Sequence, residues 1–167
     1  MNILSVSLLA ALLLMFNGCG EKASGNKPEA APPVIPVNKS KSEDTFAKLQ
    51  KEAEAGNAEA QNNLGWIYSN GHGAAKDDQA AIKWFRLAAA QGNANSQLAL
   101  GKMYRSGQGV AQDNVRALMW FSLAAGKGNA DAQQVRDLAV GHMTPAQIAE
   151  AKKMALECTS SNFSKCG

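Results

Sequence analysis

The sequence predicts an all-α fold in which antiparallel helix pairs follow one another in tandem. Three observations predict it. A unit of 36 residues occurs twice and begins a third time, apolar residues recur within it at helical spacing, and Gly, Asn and Asp stand where helices would stop and start. Asn57, Asn93 and Asn129 are 36 residues apart, each preceded by Gly and followed by Ala. Aligning 57–92 with 93–128 gives 17 identities in 36 positions without a gap, far beyond coincidence.

The chain has 167 residues, enough for one ordinary domain once its first forty are set aside. From Ile3 to Phe16 it is almost wholly apolar, broken only by Ser5 and Ser7. These fourteen residues are too few to span a bilayer as a helix and suit the apolar region of an export signal, residues 1–18. Phe16-Asn17-Gly18-Cys19 resembles the lipobox of bacterial lipoproteins, in which a small residue precedes a cysteine that becomes acylated. Gly18 and Cys19 match, whereas Phe16 and Asn17 depart from the pattern and no Lys or Arg precedes the apolar run. The resemblance implies a lipid anchor at Cys19, worth roughly 0.8 kcal/mol per buried methylene. With Gly20 after the cysteine, it also implies an outer-membrane lipoprotein of the bacterial cell envelope that faces the periplasm. An uncleaved short anchor, a signal cut elsewhere, and a soluble periplasmic or secreted form remain the alternatives.

Residues 19–42 carry four of the five prolines, no aromatic residue, and a Gly/Ala/Ser/Lys mixture that cannot bury a core; a flexible linker is expected. Ser24-x-x-Lys27 matches a nucleophile-and-base spacing, but that chemistry needs a helix inside a pocket, and Pro28 follows at once. Coincidence is the better account. Residues 43–56 align with the second helix of a unit, Leu49 on Phe85 and Ala53 on Ala89, and form an N-terminal capping helix.

In the first unit, 57–92, a helix is expected from about Ala58 to Asn70, with Ala60, Leu64 and Tyr68 on its buried side. Gly65 would let the aromatics of the partner helix approach the backbone, which outweighs the roughly 1 kcal/mol that glycine costs in a helix. Gly71 and Gly73 end the helix, and Asp77 or Asp78 caps the next, whose buried stripe is Ala81, Trp84, Phe85, Ala88 and Ala89. The second unit, 93–128, repeats this plan. Beyond Asn129, Arg136 and Asp137 stand in the places of Leu64 and Gly65, so 129–167 reads as a degenerate terminal unit and cap. Thr144-Pro145-Ala146-Gln147 reads as a capping box opening a last helix to about Glu157. A half-unit, two full units and a C-terminal pair are expected, six helices in all.

Ala-x-x-x-Leu-Gly-x-x-Tyr at 60–68, Gly-x-Gly at 71–73, Asp77, Ala81, Trp84 and Ala88-Ala89 through Gly92 closely resemble the Sel1-like repeat, a relative of the tetratricopeptide repeat. Ser96 replaces the alanine in the second copy, and the first has Ala74 where the pattern prefers Val, as at Val110. The resemblance implies a right-handed α/α solenoid, two full repeats plus capping helices, whose usual work is scaffolding or adaptor binding.

Such solenoids expose their first helices along one concave wall. Glu59, Asn62, Asn63, Trp66 and Asn70 share one face of the first unit, with Asn95, Leu98, Ala99, Lys102 and Ser106 as counterparts, and these are the candidate binding residues for a protein or peptide partner. Trp66 stands out because Lys102 replaces it in the second unit, so the packing of the repeat does not require tryptophan. It could anchor a partner or pack on the N-terminal half-unit.

The remaining signals point away from other classes. A net charge of +3 over a chain 19% charged is too weak and diffuse for nucleic acid. Cys158 and Cys166 lack Cys-x-x-Cys spacing, and in an exported protein a disulfide between them is expected rather than a redox or metal site. His72 and His142 have no carboxylate or cysteine at useful spacing, so neither a catalytic constellation, a metal site nor a cofactor is expected. An adaptor is therefore the leading expectation. The alternatives are a cell-wall or β-lactam-acting enzyme, as suggested for cysteine-rich members of this repeat class, and a self-associating structural lipoprotein. The repeats here contain no cysteine.

Overall fold

The computed structural model describes residues 39–163 and Cys166. The apolar N-terminus, Cys19, the Ser24-x-x-Lys27 match and nearly all of the expected linker lie outside the described residues. Helices α1 (Lys39–Glu54), α2 (Ala58–Asn70), α3 (Asp78–Ala90), α4 (Ala94–Ser106), α5 (Asn114–Gly126), α6 (Ala130–Val140) and α7 (Pro145–Ser160) account for the fold, and no strand occurs among the described residues. Among the described residues seven helices form rather than six, since the half-unit, two pairs and a last pair amount to seven. The first starts at Lys39, before the expected boundary at 43, because the last proline of that region is Pro36 and nothing in Lys39-Ser40-Lys41-Ser42 breaks a helix.

Local chemistry sets the boundaries. Asn57, Asn93 and Asn129 each cap a first helix, Oδ1 accepting from backbone N–H groups two or three residues on. Asp77 and Asp113 do the same for α3 and α5. Gly71 closes α2 at φ 74°, a left-handed conformation that would strain any residue with a Cβ. Thr144 and Gln147 form the reciprocal capping box of α7.

Within each unit the helices pack as a close hairpin, α2 with α3 and α4 with α5. Phe85 and Phe121 are fully buried against the backbones of Gly65 and Gly101. Ala81, Ala88 and Ala89 are fully buried on α3, while Trp84 is only half-buried and packs with Ala53, Leu64, Phe46 and Leu49 beneath α1. Its counterpart Trp120 is 2% exposed. Each repeat glutamine ties its unit to the preceding helix: Gln61 Nε2 donates to Ala53 O at 3.0 Å and Gln97 Nε2 to Ala89 O at 3.2 Å. These bonds explain why both units carry glutamine at that place.

The C-terminal helices break the pattern. Instead of closing a third hairpin on α6, helix α7 packs on α5. Asp137 stands where Gly65 and Gly101 admit a phenyl ring, and its exposed side chain pairs with Arg136. The positions of α7 that correspond to Ala117, Trp120 and Phe121 hold Lys153, Leu156 and Glu157, all exposed. A different face, centred on Ala151 and Cys158, is buried instead. Beyond it the chain turns back through Asn162 and Phe163, both at positive φ, and a Cys158–Cys166 disulfide joins the tail to the core, with both cysteines buried.

Candidate interaction surface

The first helices lie side by side. Ser96 Oγ donates to Asn62 Oδ1 at 2.8 Å, linking α4 to α2, and Asn129 Nδ2 donates to Asn95 Oδ1 at 3.0 Å, linking the cap of α6 to α4. These bonds recruit two of the residues that the sequence offers as binding candidates. Asn62 is only 7% exposed and serves the junction between units, so it leaves the accessible set. Leu98 and Ala99 leave it too, since both are buried in the main apolar core. Helical spacing placed them on the outer face, but the adjoining helices cover that edge.

Glu59, Asn63, Trp66, Asn70, Asn95, Lys102 and Ser106 remain exposed. The Trp66 indole stands edge-on to Phe85, centroids 5.3 Å apart at 76°, and is still 38% exposed. Trp84, not Trp66, is the tryptophan packed into the buried cluster beneath α1. Trp66 thus rests on its own unit and leaves an apolar edge uncovered.

The 36-residue spacing extends this row to α6, which the sequence reading left out. Leu138 is the counterpart of Trp66 and Lys102, and His142 of Asn70 and Ser106. Leu138 is 66% exposed and His142 is exposed as well. Counting one unit further from Lys102 and from Ser106 gives both. Beside them opens a cleft of 310 Å³ bordered by Arg105, Phe121, Leu138, Ala139, His142 and Met143. Among the described residues no group of three or more His, Cys, Asp or Glu side chains is placed to hold a metal ion.

These features define a class: an α-helical repeat solenoid that presents a row of first helices. Residues 58–93 and 94–129 each match the Sel1 repeat, and the chain carries two Sel1 repeats. Similar solved structures include a protective antigen present in uropathogenic Escherichia coli strains, displaying an SLR fold. It is 30% identical with a TM-score of 0.67, over 72% of this chain and 26% of that one. A Sel1 repeat protein from Oxalobacter formigenes is 35% identical with a TM-score of 0.56, over 58% of this chain and 40% of that one. In both cases this chain spans less than half of the other protein's length. No curated protein matches the chain. Sel1-repeat solenoids are typical protein–protein interaction scaffolds.

Proposed function

We propose that this protein is an exported adaptor, held to the cell envelope by a lipid on Cys19, that binds a protein or peptide partner along the wall formed by α2, α4 and α6. One observation carries the reading. Trp66 lies on that wall with over a third of its surface uncovered, at a place where the second unit has lysine, so the repeat itself does not require it. Indole is a frequent anchor at interfaces because it buries much apolar area at little entropic cost. Two units give a short wall, which favours modest affinity strengthened by clustering on a membrane.

A photo-crosslinking residue at position 66 in the full chain tests this in cells. A single defined partner, lost when Lys102→Glu is added and absent with the crosslinker at Ala90, is expected. Equal capture from both positions, or none from 66, would overturn the reading. Labelling with a palmitate analogue, abolished by Cys19→Ala, tests the anchor.

The exposed Leu138, Val140 and Leu156 of α6 and α7 favour self-association as the second reading. Sedimentation over a range of concentrations distinguishes a monomer from an assembly.

A further inference from the structure

The second unit leaves open a place that the first unit fills. Moving Ala81, Phe85 and Met103 forward by 36 positions gives Ala117, Phe121 and Ala139. Met103 is 4% exposed and belongs to the same buried cluster as Ala81 and Phe85. Ala139 lacks its thioether. The turn after α4 also closes down on α3: Gln108 Nε2 donates to Asp78 Oδ1 at 2.7 Å, and a Cβ on Gly109 would come within 2.8 Å of Asp78 Cβ. Helix α6 instead leads through His142 and Met143 straight into the cap of α7. The 310 Å³ cleft is what this shortened side chain and different turn leave beside Phe121.

Its electrostatics are one-sided. No acidic residue lines it, while the exposed Arg105 and His142 do. The Arg105 guanidinium lies 5.8 Å from the centre of the Phe121 ring and pairs with no carboxylate among the described residues, whereas Arg116 and Arg136 each have an aspartate partner. An incoming carboxylate would therefore find a cation without displacing an existing partner, next to an apolar floor.

We propose that this cleft binds a partner peptide by one large aliphatic or thioether side chain flanked by a carboxylate, the side chain seated on Leu138, Ala139 and Met143 above the buried Phe121 ring and the carboxylate meeting Arg105. The proposal rests on the adaptor reading and names the chemistry its partner would carry. Leu138, on the same border, continues the row that contains Trp66 and Lys102.

Fluorescein-labelled peptides with a Glu-Met-Glu centre in a Gly/Ser background, titrated against the full chain by anisotropy, provide the test. Saturable binding is expected, at least tenfold weaker for Glu-Ser-Glu and for Lys-Met-Lys centres. Ala139→Met, which supplies the side chain present in the first unit, should weaken Glu-Met-Glu binding at least tenfold while helicity is kept. Arg105→Glu keeps the proposal falsifiable even if that variant misfolds, because it should exchange the preference to Lys-Met-Lys. Absence of Glu-Met-Glu binding, or binding untouched by both substitutions, overturns the cleft assignment. Assembly of the wild type that Ala139→Met abolishes would make a second copy the occupant and overturn it equally. A partner captured from position 66 with no peptide binding leaves the adaptor wall standing and removes the cleft. Peptide binding blocked by Ala139→Met with no capture from 66 does the reverse.

Discussion

Phe85 packs so closely on Gly65 that a Cβ added to the glycine would lie 2.5 Å from the Phe85 ring, and Phe121 holds the same relation to Gly101. Real Cβ atoms do not approach a ring atom to that distance. Both rings are fully buried, so the glycine sets the spacing of each hairpin.

Gly65→Ala and Gly101→Ala should therefore each destabilise the fold. Alanine gains about 1 kcal/mol in helix propensity, but overpacking costs typically about 1 to 3 kcal/mol, and so close an approach to a buried ring puts the cost at the upper end. A net loss of roughly 1 to 2 kcal/mol in urea denaturation is expected from those two terms. A raised midpoint in either variant would show that the hairpins relax more readily than this packing implies.

Lys127→Gln should stabilise the second unit. In the first, Gln91 Nε2 donates to Gln61 Oε1 at 2.8 Å, whereas the equivalent acceptor, Gln97 Oε1, is buried without a partner among the described residues. Position 127 is the counterpart of 91, and the Lys127 side chain is directed instead toward Gly92. Restoring the bond should contribute about 1 kcal/mol, read as a higher denaturation midpoint. An unchanged midpoint would mean that the carbonyl is already satisfied in solution.

Reduction of Cys158–Cys166, or the double replacement by Ser, should cost about 2 to 3 kcal/mol, the loop-closure entropy of so short a ring. Because the bond fastens the tail to the core around α5 and α7, hydrogen exchange should accelerate in α7 and stay unchanged in α2. Intact mass before and after reduction gives the bond directly. Two free thiols in the untreated protein would remove the premise.

Trp66→Lys reproduces the residue of the second unit and should cost far less stability than Phe85→Ala. Its edge-on contact with Phe85 is of a kind worth about 0.5 to 1.5 kcal/mol, while Phe85→Ala should cost about 3 to 5 kcal/mol. A loss on Trp66→Lys as large as that of Phe85→Ala would make Trp66 a structural residue and weaken its role as a binding anchor.

Much of the candidate surface was legible because the two units act as each other's control. Identity at Gln61 and Gln97 marks a shared bond to the preceding helix, and the difference between Trp66 and Lys102 marks freedom from packing. Asn62 and Leu98 were misplaced because helical spacing assigns a face without saying how far the next helix overlaps it. Leu138 was missed although the same spacing reaches it, since Arg136 and Asp137 had marked α6 as degenerate.

The sequence by itself determined the helices and their order. Asn57, Asp77, Gly71 and the Thr144–Gln147 box act on the backbone within a few residues, so their effect does not wait for the rest of the fold. Only the tertiary structure decided that α7 abandons α6 for α5, that Asn62 serves a junction between units, and that a cleft opens beside Phe121. Each of these depends on which surfaces remain uncovered once the hairpins have closed. That is a competition between distant parts of the chain, and local sequence does not encode its outcome.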